Sequence, residues 1–149
     1  MDPDIDFNEL YAQFDTVLVG RRTFLPMIET GQEKEIVPGM QTYVFSSTLQ
    51  QEDYPQFTLV SENWKQVVKD LREEPGKDIW LFGGGELFRR LNEENLVDGV
   101  DVAIIPILLG GGIPLLPVTE KRTTLKLTSH RIYSSGIVEL QYTVDKQAS

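Results

Sequence analysis

Three short clusters in the chain combine residue types that bind anions. The stretch Leu81–Leu91, LFGGGELFRRL, sets Gly83, Gly84 and Gly85 between an apolar run and a helical pattern that Glu86 and Leu87 open. One glycine serves a tight turn. Three together point to a close approach to the backbone, and the free N–H groups and positive dipole end of a helix start suit a phosphate. In Val17–Phe24, VLVGRRTF, a β-branched run ends at Gly20 and is followed by Arg21, Arg22 and Thr23. Two guanidiniums and a hydroxyl there read as a second anion site or as a solvated helix start. In Phe45–Thr48, FSST, Ser46 and Ser47 follow another strand, where they bind a ligand or cap a turn.

The glycine run is not a standard dinucleotide fingerprint. Gly83-x-Gly85 is present, but Phe88 stands where the third glycine belongs, and no Gly-Lys-Ser/Thr follows. What the three clusters share is their place at the ends of apolar runs. Ligands of open α/β sheets bind at the carboxyl ends of strands, so one phosphate-rich dinucleotide along that edge would account for all three.

The elements that must hold these clusters follow from periodicity. Phe7, Leu10, Tyr11 and Phe14 share one helical face, and Asp6 with Glu9 fits a capping box. DTVLVG reads as a strand, and RRTFLPMIET as a short helix in which Pro26 is tolerated only in the first turn. QTYVFSS and FTLVS read as strands. SENWKQVVKDLREEPG reads as a helix, capped by Ser61, striped by Trp64, Val67, Val68 and Leu71, and stopped by Pro75-Gly76. DIWLF is then a strand, and GELFRRLNEEN a helix with Leu87, Leu91 and Phe88 facing inward. GVDVAIIPILLG reads as a long apolar strand that Pro106 bulges or confines to an edge, and the alternation around SSG reads as a C-terminal β-hairpin. The expected fold class is α/β: a three-layer sandwich with a central, mostly parallel sheet, flanking helices and that hairpin, in a single domain over residues 1–149.

Composition narrows the function. A net charge of -9 disfavours nucleic acid and anionic membrane surfaces as partners, while leaving room for a local cationic pocket. With no cysteine and one histidine, His130, the chain offers no thiolate chemistry and no cysteine or His-rich metal centre, and no metal is expected; His130 itself reads as a surface or satisfied residue rather than a general acid. No apolar run spans a bilayer, and the acidic start MDPDIDF lacks the features of a signal peptide, so a cytoplasmic location is expected.

FDTVLVGRRTF, YVFSST, DIWLFGGGELFRRLNEENLVDGVDVAIIPILLGGGIPLL and YSSGIVELQY, in that order, resemble the dihydrofolate reductase-like superfamily. The nearest group is the one related to the reductase, C-terminal domain of the bacterial bifunctional riboflavin biosynthesis deaminase-reductase. The resemblance runs from Asp6 to Val144. It implies an NADPH-dependent oxidoreductase acting on a small-molecule substrate, similar to 5-amino-6-(5-phosphoribosylamino)uracil reductase. It further implies that Gly20, Arg21, Arg22 and Thr23 meet the 2′-phosphate and pyrophosphate. Ser46 and Ser47 lie beside the adenosine phosphate on this reading. Gly83, Gly84, Gly85, Glu86 and Leu87 present N–H groups to the pyrophosphate, and Phe82 lies near the nicotinamide. No catalytic residue is assigned. Gly110–Gly112 has a counterpart in the family and receives no chemistry.

The same resemblance implies an extra first strand, central in the sheet, that the sequence lacks before its first helix. Either the sheet closes differently, another chain fills the gap, or the natural start lies upstream; an exposed edge at Thr16–Val19 and Ile79–Phe82 would pair with another chain, most simply in a homodimer. Two alternatives to the enzyme stay open: a non-catalytic nucleotide-binding module, and a structural homo-oligomer that has lost the substrate loop.

Overall fold

A computed structural model describes residues 4–31 and 35–146; the acidic start at Met1–Pro3 lies outside them. The chain runs α1 (Phe7–Tyr11), β1 (Phe14–Gly20), α2 (Arg21–Glu29), β2 (Gln41–Phe45), a short 3-10 turn (Gln51–Asp53) and β3 (Thr58–Val60). It continues with α3 (Trp64–Glu73), β4 (Asp78–Gly83), α4 (Gly85–Glu93), β5 (Gly99–Ile104), β6 (Leu125–Ile132) and β7 (Val138–Val144). The expected α/β class holds, with the strands divided between two sheets. One is all parallel in the order β3-β2-β1-β4, and the other is antiparallel in the order β5-β7-β6.

Strand β1 is the axis of the parallel sheet, and its alternation shows why. Val17 and Val19 point to one face, where they pack with Phe24, Val44 and Phe57; Leu18 points to the other, with Val68, Leu87 and Leu91. All three β1 residues are at most 2% exposed. A strand buried on both faces reads as a continuous apolar run, which is why VLV was legible. Each such side chain stabilises the fold by about 1.5–3 kcal/mol.

Several boundaries differ from the sequence expectation. Phe14 opens β1 instead of closing α1, because its ring stacks on Trp80 of the neighbouring strand. Asp6 does cap α1, accepting from the Asn8 and Glu9 amides. The residue flanking α3 is Asn63, not Ser61, and its side chain makes no cap hydrogen bond. Pro26 lies beyond the first turn of α2, where it removes one amide donor from a helix short enough to survive the loss. The run through Pro106 is not one long strand: β5 stops at Ile104, and residues 105–118 form neither helix nor strand. Proline cannot donate to a ladder, so pairing ends before it.

The expectation of an unpaired edge on Thr16–Val19 is also corrected. Strand β1 is paired with β2 on one side and with β4 on the other. Strand β4 has an outer edge with no strand among the described residues, as do β3, β5 and β6. No described helix is long and apolar enough to cross a membrane.

Candidate functional site

The three clusters converge because their strands are parallel neighbours in register. Gly20 pairs with Phe45, and Val19 with Gly83, so β1, β2 and β4 finish at one edge of the sheet. Two helices start there. Gly20 flanks the start of α2 and Gly84 that of α4, and neither start has a side-chain cap. The amides of Arg21, Arg22 and Thr23 and those of Gly85, Glu86 and Leu87 therefore have no intrahelical partner. The first intrahelical bond of α4 is from the Phe88 amide to the Gly84 carbonyl. The two starts are close together: a Cβ built on Gly20 would lie 3.6 Å from the Gly84 nitrogen, and one on Gly84 would lie 3.1 Å from Thr23 Oγ1.

Each glycine of the triplet has its own reason. Gly83 has φ of +129°, a conformation that side chains rarely adopt. Gly84 faces Thr23 Oγ1. A Cβ on Gly85 would meet Pro117 Cδ at 3.0 Å and the Leu115 carbonyl oxygen at 3.1 Å. The Gly83–Gly84 peptide is cis. The sequence pointed to a close approach at this backbone; at Gly84 and Gly85 the approaching atoms belong to the protein itself. Residues 115–117, read from the sequence without a role, lie against the start of α4.

Charge at this edge is cationic in balance. Arg21 and Arg22 are exposed, and Arg21 has no carboxylate within ion-pair distance among the described residues. Glu86 is the local carboxylate. Hydrogen bonds from Arg89 lower its pKa against slight desolvation, and the charges of Arg89, Arg90 and Arg22 add to the effect. Its negative charge is thus directed along the helix into Arg89, which also forks onto Glu93. The six open amides are left with a positive local field.

The remaining expected residues divide. Ser46 Oγ accepts from the amides of Thr48 and Leu49, at 3.2 and 3.1 Å, so its oxygen caps a turn. Ser47 is exposed beside it. Phe82 is half-buried with its ring 5.3 Å from that of Trp80, leaving an apolar surface just before the glycines. Leu87 is buried in the core, so only its amide faces the edge. His130 lies on β6 in the other sheet, away from the cluster. No group of side chains suited to a metal ion occurs among the described residues.

A profile of the RibD C-terminal domain matches residues 3–139, nearly the whole chain. The chain belongs to the RibD C-terminal domain family. Its relatives include Bacillus subtilis (strain 168) YyaP, 38% identical over 152 residues, covering 95% of this chain and 80% of that one. YwjB of the same strain is 28% identical, covering 93% and 79%. Both are uncharacterized proteins. The crystal structure of a Shewanella sp. PV-4 protein, provisionally assigned to riboflavin biosynthesis, superposes with a TM-score of 0.79 at 22% identity. It covers 97% of this chain and 82% of its own. A pyrimidine reductase-like protein, DIP1392 from Corynebacterium diphtheriae, gives 0.60 at 15% identity, covering 89% and 77%. These two structures share the fold.

Proposed function

We propose that this protein is a cytoplasmic, NADPH-dependent reductase whose substrate is a small pyrimidine-type molecule, similar to 5-amino-6-(5-phosphoribosylamino)uracil. The observation that carries this reading is the pair of adjacent, uncapped helix starts beside two exposed arginines at the carboxyl edge of a parallel sheet. Two phosphate groups joined by one linkage suit two neighbouring sets of amides, and a third phosphate suits a guanidinium.

The residues present fit such a dinucleotide. Arg21, with Arg22, would hold the phosphate that distinguishes NADPH from NADH. The amides of Gly85, Glu86 and Leu87, with Thr23 Oγ1, would bind the pyrophosphate. Ser47 has its hydroxyl free for the adenosine side, while Ser46 holds the loop in shape. Phe82 offers the apolar surface on which a ring can rest. When bound, the cofactor supplies a hydride; the chain's part is orientation and electrostatics. Glu86 is held ionised by Arg89 and does not donate a proton near neutrality.

Glu86's engagement with Arg89 favours a second reading, a nucleotide-binding module without turnover. Oxidation of NADPH, followed by absorbance with ribosylaminopyrimidine and pteridine substrates, separates the two. Turnover with the pyrimidine is the expected result. Binding of NADPH with no oxidation selects the module, and absence of binding removes both.

A further inference from the structure

Residues 117–123 form neither helix nor strand, yet they alternate with a period of two. Pro117, Thr119, Lys121 and Thr123 are half-buried, while Val118, Glu120 and Arg122 are exposed. That is the alternation of an extended chain with one face covered. The cover is α4. At the start of the helix, Pro117 Cδ lies 3.0 Å from where a Cβ on Gly85 would stand. At its other end the Thr119 hydroxyl donates to Glu93 Oε1 at 3.1 Å. There too the Lys121 ammonium donates to the Asn92 carbonyl and, at 2.7 Å, to Asn95 Oδ1. The side-chain amide of the buried Asn92 donates to Thr123 Oγ1 at 2.8 Å.

The two lengths match. From Pro117 to Lys121 an extended chain rises about 13 Å. Helix α4, nine residues long, rises about 13.5 Å. The strap therefore runs alongside the helix from its first residue to its last turn. The far end is firmly closed: Asn95 is left-handed at φ +58°, and the Leu96 amide reaches back to the Leu91 carbonyl at 2.9 Å. Lys121 places its charge there, where the last carbonyls of a helix carry partial negative charge. The start of α4 has no side-chain cap. A helix this short does not hold its shape alone in water, so outside contacts set where it lies. On the inner side Leu87 and Leu91 pack with Leu18 of β1, and apolar packing has no direction. The hydrogen bonds of Lys121 have one.

We propose that Lys121 is a positioning residue of the anion site. By holding the strap to the end of α4, it fixes the helix along its axis and so sets where the open amides of Gly85, Glu86 and Leu87 stand. Those amides are the phosphate site of the proposed function, on which this role rests. The strap also touches the charges beside them. Glu93, which accepts from Thr119, is the carboxylate onto which Arg89 forks, and Arg89 draws off the charge of Glu86. One extended segment thus holds the amides and the row of charges in a fixed relation.

NADPH fluorescence titration and amide hydrogen exchange on the full chain test this. Lys121→Met keeps the length of the side chain and removes its charge and donors. It should raise the NADPH dissociation constant about tenfold, the fold-change that matches the lower end of a charge-assisted hydrogen bond. In the variant without NADPH, the Phe88 amide should exchange about tenfold faster, although its bond to the Gly84 carbonyl is at the opposite end of the helix. Lys121→Arg should restore both. Lys146→Met, which breaks a surface ion pair with Asp98 instead, should change neither. Should Lys121→Met fail to fold, Thr119→Val, which removes one hydroxyl of the strap, should move both readings the same way by about threefold. Faster exchange confined to Asn95 and Leu96 would make Lys121 a local cap and overturns the role. So does a folded Lys121→Met that binds NADPH as tightly as the unaltered protein. These two results overturn the role alone; an unaltered protein that binds no NADPH overturns the proposed function and the role with it.

Discussion

The two sheets are made of comparably apolar strands and end in different states. In the parallel half, β1 is covered on both faces, and its side chains are sealed between two clusters. In the antiparallel half, β6 is exposed along its whole length. The difference teaches that an apolar strand states that it needs a cover, not where the cover is. The parallel half finds its covers within the chain, in α2 on one face and α3 with α4 on the other. That internal closure holds the three strand ends in register and so builds the candidate site. The antiparallel half leaves the apolar residues of β6 uncovered among the described residues.

The largest expected effect separates the halves by stability. Phe24 is fully buried, and Phe24→Ala should cost about 3–5 kcal/mol. Ile132 is 71% exposed, and Ile132→Ala should cost under about 1 kcal/mol. Urea denaturation measures both. Equal costs for the two variants would show that the halves do not differ in the way described.

The two glycine triplets sharpen the same contrast. Gly85→Ala forces a Cβ against Pro117 and the Leu115 carbonyl, and should destabilise by about 1–3 kcal/mol. Gly111 has nothing within 4 Å of a built Cβ and no positive φ. Gly111→Ala should therefore be neutral or stabilising by about 0.4–1 kcal/mol. Thermal melts of the pair decide it; a costly Gly111→Ala would mean that the second triplet is also packed.

Opposite pH dependences form the smallest effect. The Lys77 amide donates to Asp15 and, with Thr16 Oγ1, lowers its pKa. Its folded value is depressed, so its stabilisation is present above the ordinary carboxylate pKa and is lost as pH falls through the folded value. Asp101 is the reverse: partial burial, then the Glu139 charge, raises its pKa. Its contribution is present below the ordinary value and lost as pH rises through the folded one. Asp15→Asn should thus weaken the protein at pH 7 and converge with the unaltered protein in acid. Asp101→Asn should be the stronger variant at pH 7. Both effects are expected to be about 1 kcal/mol or less, as for exposed charges. Denaturation midpoints from pH 3 to 7 check the signs.

How far the sequence was legible follows from the range of the interactions involved. VLV at 17–19 announced a doubly buried strand because the signal lies in consecutive residues. The α/β order and the hairpin were legible for the same reason. Phe14 was misplaced on α1 because its partner, Trp80, is distant in sequence. Ser61 was read as the cap of α3 because its residue type suits one, but the helix starts at Trp64 and the flanking Asn63 side chain makes no cap hydrogen bond. The glycine triplet was read as an approach by a phosphate; the neighbours seen at Gly84 and Gly85 are Thr23, Leu115 and Pro117, which are brought there only by the fold. The edge of β1 was misjudged because pairing with β4 spans some sixty residues, beyond any local pattern.

The central claim is that two open helix starts and an arginine form a site for a phosphorylated dinucleotide. Its most direct test is fluorescence titration of NADPH and NADH against the unaltered protein and Arg21→Ala. The unaltered protein should bind NADPH more tightly than NADH. Loss of a charge-assisted bond worth about 1.5–3 kcal/mol should weaken NADPH binding about tenfold or more in the variant, with little change for NADH. An unaltered protein that binds neither cofactor, or a variant that loses both equally, would contradict the account.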